Sequence, residues 1–383
     1  MERERRLALV AAVAVAVAAI ATFYFTPSST TIPIPEPSAV RDSGTGLGSG
    51  VQVLAQNLEV PWAVDVAEKE DDGRVFFTER AGRLRIIDSD GSLLEPVFIN
   101  VAQQGEAGLL GLALHPGFAE NHRLYVYHTY SNGTAVFNKV VMFTERDNKL
   151  VDSATIIDRI PAADRNDGGR IRFGPDGKLY VATGDAKQPG LAQDLNSLAG
   201  KILRLNDDGS VPEDNPFPGS PVYSYGHRNV QGLAWDPVTK EMYASEHGES
   251  GNDEINRIKA GANYGWPEEE CGGDGGGDDD HDAAKFEKPV YCFNPAIAPA
   301  GMTIAKSDAL GYKGNILLAA LKAKQLREVD LDTGNTVNVL TGFGRIRDVV
   351  EGPDGSLYVL TSNRDGRAIA EPGDDKILKV TSP

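Results

Sequence analysis

From residue 51 onward, one pattern of polar and apolar positions recurs along the chain. A polar turn precedes a short segment of alternating apolar and polar residues rich in Val, Ile, Leu, Tyr and Phe, and a second polar turn follows. Such alternation predicts β-strands, and the Asp-Gly pairs in the turns supply the positive φ angles that tight hairpins need. Six copies are present, at 71–88, 121–130, 174–185, 239–248, 313–330 and 352–363.

The spacing of these copies is typical of propeller blades. Equivalent apolar positions lie 49, 55, 63, 74 and 41 residues apart, and helical periodicity is confined to a stretch near 191–198. We therefore predict an all-β fold, a six-bladed β-propeller of four-stranded blades over 51–383, with the chemistry at a channel mouth where loops converge. The equivalent positions are Val75, Leu124, Leu179, Met242, Ile316 and Leu357.

The N-terminal 25 residues follow a different pattern. Nineteen uncharged residues, 7–25, come after the charged segment 2–6, and at about 1.5 Å per residue they nearly span a bilayer core. We expect a membrane helix that serves as a signal anchor, because an aromatic belt at 23–25 ends it without a clear cleavage site. A cleaved signal peptide over 1–25 is the alternative. A Pro/Ser/Gly-rich linker over 26–50 follows, and the basic N-terminal flank predicts an extracytoplasmic body.

Composition excludes several classes of function. The chain has 38 Lys and Arg against 55 Asp and Glu, a net charge of −17, which disfavours nucleic acid as a partner. Its two cysteines cannot build a four-cysteine metal site. Outside the cell, we expect Cys271 and Cys292 to form a disulfide that closes an acidic, glycine-rich loop.

The segment 225–232 combines a cation with amides between two glycines. Arg228, Asn229 and Gln231 lie on a loop that enters a predicted strand. A fixed guanidinium beside amide groups suits a planar, electron-poor, anionic ligand. An arginine that only ties blades together is the alternative.

Two further arginines point to an anionic ligand. Arg345 and Arg347 are two residues apart on a predicted strand, so both side chains leave the same face. Two guanidinium groups on one face repel each other unless anions lie between them, and carboxylates match them in geometry. Pairing with Asp348 or Glu351 is the alternative.

A calcium site is indicated by the segment 246–267. It offers backbone carbonyls on a glycine-rich loop, together with Glu249, Asp253 and Glu254. Ca²⁺ takes six to eight oxygen ligands of these kinds.

Five motifs, in the same order along the chain, resemble those of one enzyme family. They lie at 105–118, 168–185, 225–237, 247–267 and 344–361. They are similar to the motifs of the soluble quinoprotein aldose and glucose dehydrogenases, six-bladed propellers that bind pyrroloquinoline quinone (PQQ) with Ca²⁺. The resemblance implies oxidation of an aldose at the anomeric carbon to the lactone, with hydride passing to the quinone. The sugar and the electron acceptor remain open.

The resemblance also assigns roles to individual residues. Arg228 would lie against the quinone carbonyl that accepts hydride, and the carbonyls of Gly248 and Glu249 would hold the cofactor Ca²⁺. Glu254 and the carbonyl of Tyr264 would bind a second, structural Ca²⁺. Glu106, where the glucose enzymes have Gln, and Gln231 are assigned to the substrate pocket. The other predicted cofactor contacts are Asn229, His247, Lys322 on the strand LLAALKAK, Arg345 and Arg347.

One departure from the family concerns the catalytic base. The family places a His three residues before a Gly-Arg pair, and that position here is Asn166, which does not titrate. Three hypotheses follow. Asp164 or Asp167 serves as the base, or His247 does, or the chain is a non-catalytic quinone- or carbohydrate-binding propeller.

Overall fold

The computed structural model describes residues 38–39, 50–67, 73–271 and 285–382. In these residues, six antiparallel sheets surround a channel, and each has four strands in a row from the channel outward, with a fifth at the outer edge of one sheet. Neighbouring inner strands contact one another all the way around the ring. The predicted six-bladed β-propeller of four-stranded blades is confirmed.

The first three blades each consist of four strands that are consecutive in the chain and run from the channel outward. Blade 1 has β3 Pro61–Val66, β4 Val75–Glu79, β5 Arg83–Ile87 and β6 Val97–Phe98. Blade 2 has β7 Leu109–Leu114, β8 Arg123–Ser131, β9 Val136–Arg146 and β10 Lys149–Pro161. Blade 3 has β11 Gly168–Phe173, β12 Leu179–Thr183, β13 Lys201–Leu205 and β14 Val222–Tyr225.

The second half of the ring has the same order. Blade 4 has β15 Val230–Trp235, β16 Met242–Glu246, β17 Asp253–Ile258 and β18 Tyr291–Phe293. Blade 5 has β19 Pro299–Ile304, β20 Ile316–Ala320, β21 Gln325–Val329 and β22 Thr336–Leu340. Blade 6 has β23 Ile346–Glu351, β24 Leu357–Thr361 and β25 Ile377–Val380, then β2 Val51–Gln56 and a fifth strand, β1 Ser38–Ala39. A short helix, Phe118–Asn121, and a 3₁₀ turn, Pro189–Ala192, complete the elements.

Both ends of the chain build blade 6. β2 pairs antiparallel with β25, with Val53 opposite Leu378. The ring is thus closed by hydrogen bonds between strands that are distant in sequence.

The repeat positions predicted from the sequence mark the second strand of every blade. Five of the six are the first residue of their strand, and Leu124 is the second residue of β8. Most of these strands are buried along their whole length, because each blade is packed between two others. Apolar residues therefore occupy both faces.

A buried ion pair crosses the channel. Arg170 Nη1 lies 2.7 Å from Asp348 Oδ2, and both side chains are at most 1% exposed. The Arg170 guanidinium lies over the Trp62 ring, and Asp348 also accepts the Val64 N–H at 3.0 Å. At Gly301, a Cβ would lie only 1.7 Å from Asp348 Oδ1, so glycine is required there. This cluster joins four blades, and losing either charged partner would leave a buried charge uncompensated.

The remaining organisational predictions have mixed outcomes. Cys271 and Cys292 form the expected disulfide. The predicted signal anchor over 1–25, and the linker over 26–50 apart from 38–39 and Gly50, lie outside the described residues. Of the helices that the structure describes, none has the length and apolar character needed to cross a bilayer.

Candidate active site

A cavity of about 400 Å³ opens at one end of the channel. It lies where the inner strands begin and the second strands end, so that loops from all six blades reach it. The residues that line it are Trp62, Arg80, Glu106, Leu110, Arg165, Asn166, Asp167, Gly168, Arg228, Asn229, Gln231, His247, Gly248, Glu249, Ala298, Leu321, Lys322, Arg345, Arg347 and Arg367. Most of the residues predicted from separate motifs are thus brought together.

The cavity is cationic although the chain is acidic. Seven of its lining residues are Arg or Lys and only three are Asp or Glu, whereas the whole chain has a net charge of −17. Concentrated positive charge in a concave site attracts an anionic ligand.

Arg345 and Arg347 both reach the cavity and share one carboxylate. Asp365 Oδ2 lies 2.8 Å from Arg345 Nη2 and 3.7 Å from Arg347 Nη2. Arg347 Nη1 also donates to Gln231 Oε1 at 3.3 Å, while its buried Nε has no partner in the described chain. Burial lowers the pKa of Arg347 to about 10, and the nearby Asp365 opposes this shift.

The predicted alternative partners of these arginines are engaged elsewhere. Asp348 belongs to the Arg170 pair, and Glu351 accepts the N–H groups of Lys306 and Ser307. Asp365, which the sequence did not single out, is the partner instead.

Arg228 holds the loop that follows β16. Its Nη1 donates to the carbonyls of Gly248 at 2.8 Å and His247 at 3.2 Å, and its guanidinium lies over Trp266. Its buried Nε has no hydrogen-bond partner among the residues described. One edge of the guanidinium therefore orders the loop, and one N–H lacks an acceptor.

Asn229 and Gln231 form a fixed amide pair in the wall of the cavity. Gln231 Nε2 donates to Asn229 Oδ1 at 3.0 Å, and the same oxygen accepts the Gly168 N–H at 3.1 Å. Both side chains are almost fully buried. Their orientations are therefore set before any ligand binds.

Lys322 lines the cavity, but not from a strand. β20 ends at Ala320, and Lys322 lies in the turn that follows, where its backbone N–H donates to the Ile297 carbonyl at 2.9 Å. The predicted strand position was wrong, because the buried strand ends before the sequence becomes charged. The neighbouring Lys324 is not among the lining residues.

Asn166 lies two residues before β11. Its backbone is in the left-handed conformation, with φ of 61°, which asparagine tolerates better than most residues. Its Nδ2 donates to Asp185 Oδ1 at 3.0 Å. Asp185 is buried, and its other oxygen accepts the Trp266 Nε1–H at 2.9 Å. Residue 166 is thus held against a fixed carboxylate.

Asp167 is a buried carboxyl group beside it. Its Oδ1 accepts Asn138 Nδ2 at 2.9 Å and the Ala163 N–H at 3.0 Å. Its Oδ2 is buried, with no hydrogen-bond partner in the part of the chain that the structure describes. Burial raises the pKa of Asp167 to about 6, which is suitable for a general base near neutral pH.

Asp164 is not brought into the cavity. Its carboxylate is 42% exposed and pairs with Lys187 at 2.9 Å, and that hydrogen bond lowers its pKa. Only its backbone contributes nearby, because its carbonyl accepts the Glu106 N–H at 2.9 Å. Glu106 does line the cavity, in an ion pair with Arg367.

His247 lines the cavity with a buried Nε2 that has no hydrogen-bond partner within the described ranges. Burial lowers its pKa, which favours the neutral ring. The backbone N–H of His247 donates to the Asn229 carbonyl at 3.2 Å. This hydrogen bond fixes the loop backbone just before Gly248.

The residues predicted to bind Ca²⁺ divide between two sites. Glu249 lines the main cavity, Glu254 and Tyr264 line a small adjoining pocket, and Gly248 lies between the two and lines both. That pocket is rich in carboxylates, and burial together with the neighbouring Glu246 raises the pKa of Glu254 to about 8. Such oxygen-rich donor sets are the kind that Ca²⁺ takes. The pocket also includes Glu269 and Glu270.

Several residues of the cavity escaped the sequence analysis. Arg80 follows the second strand of blade 1, as His247 follows that of blade 4, so blade equivalence could have predicted it. Arg165 adjoins Asn166, but no repeated feature marks it. Trp62 and Arg367 lie outside the six repeats, and only the folded ring brings them to the cavity.

A six-bladed propeller with a cationic, ligand-sized cavity at one channel mouth defines a class of small-molecule-binding β-propellers. The chain belongs to the glucose/sorbosone dehydrogenase family, whose model matches residues 58–370.

Individual relatives agree with this family. The Escherichia coli protein named aldose sugar dehydrogenase YliI is 34% identical over 344 residues, covering 83% of this chain and 91% of the relative. The PQQ-bound aldose sugar dehydrogenase structure from Streptomyces coelicolor is 38% identical, with a TM-score of 0.76, over 86% of this chain and 97% of that one. A putative oxidoreductase (glucose dehydrogenase) structure from Thermus thermophilus is 40% identical, with a TM-score of 0.77, over 86% and 99%.

Proposed function

We propose that this protein is a PQQ- and Ca²⁺-dependent dehydrogenase that oxidises an aldose at the anomeric carbon to the lactone. The observation that carries the proposal is the convergence of seven basic side chains on one cavity in an acidic chain. Family membership and the relatives named as aldose sugar dehydrogenases support the substrate class.

The cavity fits a planar tricarboxylate such as PQQ. Arg228 and Arg347 each have a buried N–H without an acceptor in the described chain, and leaving such groups unpaired is unfavourable. Arg228, Lys322, Arg345 and Arg347 would hold the cofactor, with Asn229 and His247 beside it. When bound, PQQ supplies the two-electron acceptor for the oxidation of the sugar.

The chain's own residues would move the proton. Asp167, with a pKa of about 6 and an unpaired oxygen, would accept the proton of the anomeric hydroxyl. Asn138 and the Ala163 N–H fix its other oxygen, so that the carboxylate keeps one orientation. The ion pair of Asp164 with Lys187, outside the cavity, supports Asp167 over Asp164 in this role.

Two Ca²⁺ ions complete the proposal. The carbonyls of Gly248 and Glu249 would bind the ion beside the cofactor, where it would polarise the quinone oxygen as a Lewis acid. Glu254 and the Tyr264 carbonyl would bind the second, structural ion. The four glutamates that line the small pocket, Glu246, Glu254, Glu269 and Glu270, support the second of these assignments.

We also propose that the body is extracytoplasmic, held by the N-terminal segment at the membrane. The Cys271–Cys292 disulfide supports this location, because such bonds persist mainly in oxidising compartments.

The test is to mix the purified full chain with PQQ and CaCl₂ and follow reduction of an artificial dye over a panel of aldoses. We expect Asp167→Asn to lower kcat by ~10²-fold or more, the usual contribution of a general base, while PQQ affinity is retained. The matched control Asp164→Asn should leave kcat within about twofold, since its carboxylate lies outside the cavity.

Each failure has a separate meaning. An unchanged PQQ spectrum on mixing would overturn the cofactor assignment. A PQQ-dependent spectral change without dye reduction for any aldose would identify a quinone-binding propeller instead of an enzyme.

A further inference from the structure

We propose that the sugar substrate carries an oxyanion, either a carboxylate or a phosphate, and that Arg80 and Arg165 bind it. This inference rests on the proposed function, because it names the substrate class of the same site. It follows from the basic residues that the cofactor assignment leaves over.

The basic side chains enter the cavity from two sides. Blades 4 to 6 contribute the proposed cofactor contacts, whereas Arg80 follows β4 of blade 1 and Arg165 precedes β11 of blade 3. Blade 2 lies between these two arginines. They therefore enter the cavity from the two blades that flank blade 2, whereas the proposed cofactor contacts enter from blades 4 to 6.

Backbone hydrogen bonds hold both arginines against the same segment of blade 2. The Arg80 carbonyl accepts the Leu109 N–H at 2.9 Å, and the carbonyl of Asp164, next to Arg165, accepts the Glu106 N–H at 2.9 Å. A Cβ at Gly108 would lie 2.3 Å from the Arg80 carbonyl oxygen, so the approach is close enough to require glycine. The two arginines thus flank one short stretch at the cavity mouth.

Carboxylates lie near these two arginines, Asp365 and Glu106 near Arg80 and Asp164 near Arg165, but none forms a salt bridge with them. Arg345 and Arg347 share Asp365, and Arg367 pairs with Glu106. Neither Arg80 nor Arg165 makes an ion pair with any residue that the structure describes.

The guanidinium of Arg80 has an N–H donor that lacks an acceptor. Its Nε is buried and has no hydrogen-bond partner across the described residues. Glu106, the acidic residue between the two arginines, already has Arg367 as its partner. A neutral sugar would offer no charged acceptor to the buried Arg80 Nε–H or to Arg165. A carboxylate or phosphate would instead accept their paired N–H donors in charge-assisted hydrogen bonds.

The experiment compares three sugars of one stereochemistry on the full chain with PQQ and CaCl₂: glucose, glucuronate and glucose 6-phosphate. We expect kcat/KM for at least one charged sugar to exceed that for glucose about tenfold or more, as for a charge-assisted hydrogen bond. Arg165→Gln, at an exposed position, should remove most of this advantage, and the loss should appear in KM. The preferred sugar distinguishes carboxylate from phosphate.

Arg257→Gln is the matched control, because Arg257 is an exposed arginine that pairs with Glu241 outside the cavity. It should not change the preference. Arg80→Gln provides a second variant on the opposite side of the mouth, with the same expected loss. Equal kcat/KM for charged and neutral sugars, or a preference that survives both cavity substitutions, would overturn the inference.

Calorimetry of glucuronate and glucose 6-phosphate against the full chain without PQQ separates this inference from the proposed function. Binding of a charged sugar that weakens in Arg165→Gln supports the inference even if PQQ does not bind. If PQQ binds and glucose is oxidised as fast as the charged sugars, the proposed function stands and only the inference fails.

Discussion

Blades 3 and 6 contain nearly the same sequence at the same structural position, 174–185 and 352–363. At the turn before the second strand, they are built alike. In blade 3, the Asp176 carboxylate accepts the Lys178 N–H and a hydrogen bond from the Arg204 side chain on the third strand. In blade 6, the Asp354 carboxylate accepts the Ser356 N–H and a hydrogen bond from the Lys379 side chain, also on the third strand. Each cation lies opposite the tyrosine of its repeat, at Tyr180–Arg204 and Tyr358–Lys379.

At the cavity end of the same strands, the two blades differ in chemistry. Asp185 of blade 3 accepts the side chain of Asn166, whereas Asn363 of blade 6 accepts the backbone N–H of Arg345. In both blades, a residue after the second strand fixes the residue before the inner strand. At the end of the blade that carries the Asp-Gly turn, the shared residues therefore stabilise the fold. At the end that reaches the cavity, the same backbone arrangement places different functional groups.

The largest contrast is expected between cations at the two ends of blade 6. Arg347→Gln should weaken PQQ binding about 10²-fold or more, because truncating a buried, hydrogen-bonded charge costs about 2–5 kcal/mol. The measurement is a PQQ titration followed by absorbance. Lys379→Gln, at the turn end, should leave the affinity within about twofold. Equal losses in the two variants would contradict the division between the ends.

A second contrast concerns the pH dependence of stability. The pKa of Asp167 is raised from 3.8 to about 6 by burial, so the folded state binds its proton more tightly than the unfolded state does. The stability that protonation provides is present below pH 4 and is lost as the pH rises through about 6. Because asparagine does not titrate, Asp167→Asn does not lose stability in this way as the pH rises. Its unfolding free energy relative to the parent should rise by roughly 2 kcal/mol between pH 4 and pH 7.

Urea unfolding of both proteins at the two pH values measures this difference. Asp176→Asn is the control at the turn end of blade 3, and its difference from the parent should change far less. Parallel pH dependence of the parent and Asp167→Asn would show that Asp167 has an ordinary pKa.

The third prediction tests whether a histidine at position 166, at the cavity end of blade 3, can act as a general base. Asn166→His should raise kcat about tenfold, toward the lower end of what a positioned base contributes. The reason is that the Asp185 carboxylate already lies at hydrogen-bond distance from residue 166 and can orient an imidazole there. Asn166→Leu controls for the loss of the amide and should give no increase. A histidine variant no faster than the parent would mean that the base position is complete without residue 166.

Sequence patterns predicted the fold because the repeat is local. Apolar positions such as Leu179 and Leu357 mark strands by their own neighbours, and the spacing of the copies then gives the blade number. The sequence also singled out Arg228, Arg345 and Arg347, and all three line the cavity, because each lies at or just before the start of an inner strand.

Other parts of the site depend on distances that the sequence does not contain. Asp365 pairs with Arg345 and Arg347 from a loop beyond the next strand, and nothing around it predicts that contact. Asp164 and Asp167 were equivalent in sequence, yet one is exposed and the other buried. Burial is decided by the packing of blade 2 against blade 3, through Asn138.

The smallest expected effect lies at the turn end of blade 6. Asp354→Asn weakens the acceptor for the Ser356 N–H and removes the charge that pairs with Lys379. Because the group is partly exposed, the cost should be about 1 kcal/mol or less in unfolding free energy, measured by urea unfolding at pH 7. PQQ affinity should stay within about twofold of the parent. A larger change in affinity than in stability would show that the turn also sets the position of Arg347, at the other end of the channel.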